Sequence, residues 1–208
     1  MSMVIAFEGS DGSGKTTLIE LTAAILRAKG VEQQVVGKSD GAETRLITQL
    51  IQSPDLSYTT ATEALLKLAR EHQRFAYADR SPVTLLDRGL VSIASVLNAQ
   101  NIDLEPYRSQ FNACLAEVED YATVYCDISF DRSWERMTRR ARETGAPLSK
   151  KELRGPEFNR DVHRSIERLC VESTISGPVY RVDTWSKSPE DSASEVATWI
   201  CQRLSETP

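Results

Sequence analysis

Gly9-Ser10-Asp11-Gly12-Ser13-Gly14-Lys15-Thr16 is the stretch from which the rest of this 208-residue chain can be read. It fits the pattern G-x-x-x-x-G-K-[ST] at every fixed position. Ahead of it, Met3-Val4-Ile5-Ala6-Phe7 is a short apolar run of buried-strand type, and behind it Leu18, Leu21, Thr22, Ile25 and Leu26 recur at helical spacing. Strand, glycine-rich loop, helix is the order that phosphate binding requires. Glycines let the backbone curl until its N–H groups point at phosphate oxygens, and the helix N-terminus adds partial positive charge. In such a loop Lys15 reaches the outer phosphates of a nucleotide, and the Thr16 hydroxyl ligates Mg²⁺. Asp11 sets a carboxylate inside an anion-binding nest, where like charge is costly, so its side chain is expected to turn away toward another partner.

The totals fit one well-buried domain spanning residues 1–208. Apolar content of 40% and charged content of 26% are those of a soluble globular protein, and a net charge of −5 argues against a general nucleic-acid binder. No apolar run approaches a membrane span, and Met1-Ser2-Met3 leads directly into a strand, so the expected location is cytoplasmic. Cys114, Cys126, Cys170 and Cys201 show no metal-ligand spacing and read as free thiols. Neither His72 nor His163 has a motif around it.

Beyond the first helix, which stops near Gly30, strands and helices alternate. Further strands are expected at Gln33–Gly37, Pro82–Arg88, Thr123–Ile128 and Val179–Asp183. Ser53-Pro54-Asp55 should break a short helix over 43–52, and Thr60 to Ala78 reads as one long helix. On it Leu65, Leu68, Ala69, His72 and Ala76 form an expected core stripe, and Leu66, Arg70, Gln73, Arg74 and Tyr77 a second stripe able to line a pocket. Asp87 and Arg88 end a buried strand on the ligand side of the sheet, where an acidic residue suits Mg²⁺ and an arginine clamps phosphate. Asp131 is the expected cap of a helix that turns Trp134, Met137, Thr138 and Ala141 inward and carries Arg132, Arg136, Arg139, Arg140 and Arg142 on its other faces. So many arginines exceed what helix ends need and suit a lid over ATP, with Glu143 to Pro156 as its mobile loop. The whole is a three-layer α/β domain with about five parallel strands flanked by helices.

The string Phe7-Glu8-Gly9-Ser10-Asp11-Gly12-Ser13-Gly14-Lys15-Thr16-Thr17 closely resembles the thymidylate kinase family. The resemblance is strongest over residues 3–29 and moderate through the strand at 83–88, and it implies the P-loop kinase fold. It implies ATP and Mg²⁺ contacts at Lys15 and Thr16, an acceptor-sugar contact at Asp11 and an acceptor-phosphate contact at Arg88. Arg70 falls where a family arginine touches acceptor base and sugar, residues 136–142 are similar to the family's lid, and Asp183-Thr184-Trp185-Ser186 resembles the segment bordering the adenine. Homodimerisation is implied in the same way. The departures are Lys38-Ser39-Asp40 in place of an Arg-Glu-Pro-type turn, Leu66 in place of the phenylalanine that stacks on thymine, Gly89 in place of an aromatic residue, and Ser95-Val96-Leu97 in place of Ala-Tyr-Gln. Losing an aromatic platform and its polar neighbours changes which base fits.

The expected activity is transfer of the ATP γ-phosphoryl group to a (deoxy)nucleoside monophosphate that need not be dTMP, with Lys15, Arg88 and Arg140 or Arg142 as the catalytic cations and Lys38 as a further acceptor contact. A nucleoside kinase acting on a sugar hydroxyl is the first alternative. It would want a carboxylate base, for which Glu8 and Asp40 are the candidates. The second alternative is a nucleotide-binding protein without turnover. The absence of an Asn-Lys-x-Asp signature argues against a regulatory GTPase.

Overall fold

The computed structural model describes residues 2–53, 55–78 and 81–206. Its elements run β1 (Met3–Glu8), α1 (Lys15–Ala28), β2 (Gln33–Val36), α2 (Ala42–Gln52), α3 (Thr60–Ala78), β3 (Val83–Asp87), α4 (Leu90–Ala99), α5 (Arg108–Ala116), β4 (Asp120–Asp127), α6 (Phe130–Thr144), α7 (Gly155–Glu172), β5 (Val179–Asp183) and α8 (Pro189–Glu206). Pro54, the expected helix breaker, lies outside the described residues.

The strands form one parallel sheet in the order β2-β3-β1-β4-β5. The chain leaves β1 toward β2 on one side and later crosses to β4 on the other. Crossovers of one hand in opposite directions open a crevice above the carboxyl end of β1, where a ligand can sit. Because side chains alternate along a strand, β1 feeds two cores. Val4 and Ala6 pack with α3, α4, α5 and α7 residues such as Leu68, Phe75, Leu97 and Val162. Met3, Ile5 and Phe7 pack on the opposite face with Leu18 and Leu26 of α1 and Val196 and Ile200 of α8. The same parity turns Glu8 to the α4 side, where it is fully buried.

Several expectations are corrected. On α3 the core stripe is Ala64, Leu68, Glu71, Phe75 and Ala78, whereas Leu65, Ala69, His72 and Ala76 are exposed. The spacing of four, three, four and three is regular, but a carboxylate occupies its middle position and hides it from a reading by hydrophobicity. The second stripe keeps its place, with Arg70 and Arg74 buried and Leu66, Gln73 and Tyr77 half-buried. On α6 the cap position belongs to Ser129, while Asp131 sits in the first turn and pairs with Arg160. Met137 is buried there together with Phe130 and Ser133, and Trp134, Thr138 and Ala141 are half-buried. Strand β4 begins at Asp120, ahead of the expected Thr123.

Candidate active site

The loop between β1 and α1 is held by backbone geometry. Gly12 and Gly14 have φ of 84° and 89°, in the left-handed region that favours glycine. A Cβ on Gly12 would collide with the Ser133 carbonyl, so α6 packs directly on the bend. Gly14 at the N-cap of α1 brings no side chain to cap the helix, whose first N–H groups are of the kind that receives an anion. Lys15 is buried at the loop's centre, its Nζ donating to the carbonyls of Gly9 at 3.0 Å and Ser10 at 2.7 Å. Burial and the neighbouring Arg88 push its ammonium down to about 8. Thr16 and Thr17 are exposed on the first turn.

The ends of β2 and β3 form the second half of the site. Arg88 has a positive φ of 66°, an unfavourable conformation for a long side chain. Its backbone N–H donates to the Phe7 carbonyl at 3.1 Å. Arg74 holds it from beneath: Nη1 donates to the Arg88 carbonyl at 3.0 Å, and Nη2 to the carbonyls of Val36 and Asp87 at 2.9 and 3.1 Å. Arg74 is completely buried, with its charge matched by Glu71, which also accepts from Arg70 Nη2 at 2.9 Å. The Arg88 guanidinium crosses to the loop, donating from Nη1 to the Gly9 carbonyl at 2.9 Å and from Nη2 to Asp11.

Asp11 does turn away from the loop's anion nest. One carboxylate oxygen meets Arg88 and the other Lys151. Burial alone would raise its pKa, but Arg88, Lys151 and Lys15 together hold it well below the usual carboxylate range. Lys38 is half-buried after β2, and burial together with Arg88 and Arg70 pushes its ammonium down to about 7. Lys38, Arg70 and Arg88 therefore gather at one place, with Asp87 beside them at the end of β3.

Glu8 is engaged throughout. Its Oε1 accepts from the backbone N–H groups of Gly89 at 2.8 Å and Ser92 at 3.0 Å, and its Oε2 accepts from the Ser92 hydroxyl. It thus caps the N-terminus of α4, where a carboxylate is favoured by both hydrogen bonding and the helix dipole. Asp40, the other expected base, accepts from the Gly37 N–H within its own exposed turn.

On the other side of the loop lies a cleft of about 300 Å³ lined by Gly14, Thr17, Arg136, Arg140, Thr184 and Lys187 among others. Arg136 donates to the Thr184 carbonyl at 3.3 Å, and its guanidinium sits 4.8 Å from the Trp185 ring centroid. Arg139 and Arg142 are exposed and do not line this cleft. Leu66 remains half-buried on α3. A Cβ on Gly89 would lie 2.6 Å from the Tyr121 hydroxyl and 2.8 Å from Ala6 Cβ, so Tyr121 occupies the room that a side chain at 89 would need. Ser95 and Leu97 are buried in α4, the Ser95 hydroxyl donating to the Ser92 carbonyl at 3.0 Å.

Several participants escaped the sequence reading. Lys151 stands in a loop of mixed charges with nothing to single it out. Ser92 and Glu71 have ordinary surroundings in sequence. His163 had a usable signal, since it falls on the α7 stripe of Val162, Ile166, Leu169 and Cys170 and is a buried polar residue among apolar ones.

A glycine loop at a helix N-terminus, a buried lysine inside it and arginines on both sides define a P-loop phosphotransferase. The family model described as thymidylate kinase matches residues 7–184. A thymidylate kinase of Exiguobacterium sp. is 26% identical over 97% of this chain and 95% of its own. One of Akkermansia muciniphila is 33% identical over 70% of this chain and 74% of its own, and one of Pelodictyon phaeoclathratiforme is 29% identical over 78% and 80%. The chain belongs to the thymidylate kinase family, whose members are ATP-dependent nucleoside monophosphate kinases.

Proposed function

We propose that this protein transfers the ATP γ-phosphoryl group to the phosphate of a nucleoside monophosphate held by Lys38, Arg70 and Arg88, and that dTMP is not its preferred acceptor. The observation that carries this reading is the pairing of a cation cluster with a saturated carboxylate. Lys38 feels the cations Arg88 and Arg70 beside it, a grouping that suits a dianionic phosphate. Glu8, the base a hydroxyl acceptor would want, is already committed to capping α4. An acceptor phosphate oxygen is anionic and needs no base. It attacks the γ-phosphorus, the bond to the bridging oxygen of ADP breaks, and the negative charge passes to that oxygen. In this reading the backbone from Gly9 to Thr17 cradles the donor phosphates, Lys15 neutralises charge on the moving group, and Arg136 and Arg140 close on it from the cleft. Arg88 aligns the acceptor, and Asp11 orients its sugar while holding Arg88. Residues 136–156, with Arg139 and Arg142, act as the lid.

Thr16 and Asp87 supply hydroxyl and carboxylate oxygens, the donors that Mg²⁺ prefers. Among the described residues no group of three or more His, Cys, Asp or Glu could hold a metal on its own, so these two suit an ion that arrives with ATP. When bound, Mg²⁺ would supply charge neutralisation to the donor phosphates, held through Thr16 and Asp87.

The base preference rests on Leu66 in place of an aromatic platform and on Gly89, whose space Tyr121 fills. A homodimer and a cytoplasmic location belong to the same reading. Exposed Leu46 and Leu50, one turn apart on α2, support a subunit face there, and sedimentation would check it. No helix among the described residues is long and apolar enough to cross a membrane. Steady-state kinetics of Arg88→Ala test the acceptor site. The expected result is a rise in KM for the monophosphate of at least about tenfold, the scale of one lost charge-assisted contact, with KM for ATP changed far less. Equal losses for both substrates would count against the assignment.

A further inference from the structure

His163 is a buried titratable group with no part in the chemistry above. Its Nδ1 lies 2.7 Å from the Ser10 hydroxyl, 153 positions away in sequence. Its Nε2 faces the Glu167 carboxylate at 3.7 Å, and its ring meets Phe130 edge-on at 5.9 Å. With the imidazole proton on Nε2, the side that faces the carboxylate, the Nδ1 lone pair accepts from the Ser10 hydroxyl. Ser10 is a hub of the phosphate loop, since its carbonyl accepts both from Lys15 Nζ at 2.7 Å and from the Ser13 N–H at 3.1 Å. Its neighbour Asp11 is gripped by Lys151, whose own carbonyl accepts from Asn159 at 3.1 Å. Helix α7 and the turn before it thus hold the outer bend of the loop at two successive residues.

We propose that His163 is a positioning residue for the donor nucleotide: through Ser10 it fixes the loop conformation that receives the ATP phosphates and seats Lys15. This rests on the donor-site reading and is independent of which acceptor is used. The ring works as the neutral imidazole, because a proton on Nδ1 would reverse the hydrogen bond and turn the Ser10 hydroxyl proton away from the ring. Burial, Arg160 and Arg164 on α7 favour the neutral form, Glu167 on α7 and Asp127 on β4 oppose them, and the balance lies below the ordinary histidine value.

The test is calorimetric titration of the intact protein with MgATP, without acceptor. His163→Leu and Ser10→Ala should each raise Kd about five- to tenfold, the size of one lost buried hydrogen bond, and the double variant should be no worse than either single one. His163→Asn keeps an acceptor oxygen near the place of Nδ1 and should stay close to wild type. Between about pH 7.5 and about pH 5 wild-type affinity should fall more steeply than that of His163→Asn, because only the wild type carries the imidazole that titrates. Amide exchange across residues 10–13 should quicken in His163→Leu at unchanged global stability. An unchanged Kd and exchange rate in His163→Leu, or losses that multiply in the double variant, would overturn the proposal. The wild-type titration reports on the donor-site reading, and the ratios between variants report on His163, so the two failures are distinguishable.

Discussion

Lys38 is a residue whose charge changes near neutral pH. Burial and the cations Arg88 and Arg70 push its ammonium down to about 7, so above that pH it is increasingly neutral in the free protein. Binding a dianionic acceptor must then be accompanied by uptake of a proton from solvent onto Lys38. We expect KM for the monophosphate to rise above about pH 7 by up to about tenfold per pH unit, the limit for one proton taken up on binding. Lys38→Arg should abolish that rise, and an identical slope in the variant would assign the titration elsewhere. Gly89 makes the second residue-scale test. Restoring an aromatic side chain there by Gly89→Tyr should destabilise the protein by about 1–3 kcal/mol, because Tyr121 and Ala6 already fill the space. Thermal unfolding would measure it, and an unchanged midpoint would mean that the pocket opens freely. At this scale the sequence showed which side chains differ from the family pattern. It could not show that Tyr121, on a strand far along the chain, occupies the room that a side chain at 89 would need.

Helix α3 shows how one element can be located and yet misread. Its ends are those expected, but its core face is rotated, because Glu71 sits in the middle of the buried stripe. The reason is the Arg70–Glu71–Arg74 network, in which Arg74 draws together the carbonyl ends of β2 and β3 and supports Arg88 in its left-handed conformation. Replacing Arg74 by leucine should destabilise the fold by about 3–5 kcal/mol, because Glu71 keeps only Arg70 on one oxygen while its other oxygen and the carbonyls of Val36, Asp87 and Arg88 all lose this donor. Urea unfolding reads this directly, and a loss under about 1 kcal/mol, the range of an exposed pair, would show that the network carries little. Helix α6 is the opposite case. The arginine cluster was visible as composition, and the helical turn then divides it: Arg136 and Arg140, four residues apart, reach the cleft, while Arg139 and Arg142 face solvent. Helical period separates these sets only once it is known which face meets the loop, and that is decided by Ser133 packing on Gly12.

At the scale of the molecule, the alternation of apolar strands and amphipathic helices was enough for a parallel α/β sheet, and the glycine loop after the first strand located its ligand-binding edge. The acceptor half proposed above was less legible, because Lys38, Arg70 and Arg88 lie on three separate segments and meet only when β2 and β3 lie side by side. The loop proposed for the donor phosphates was legible as a string because one segment carries it. Acceptor chemistry is therefore where a direct measurement matters most. The protein should be given ATP labelled at the γ-phosphorus and Mg²⁺, with matched nucleosides and nucleoside monophosphates, and the labelled product separated by chromatography. We expect the label in a nucleoside diphosphate formed from a monophosphate other than dTMP, with none passed to nucleosides. Label appearing in a nucleoside monophosphate formed from a nucleoside would contradict the acceptor site described above, because Glu8 would then have to leave α4 and serve as a base.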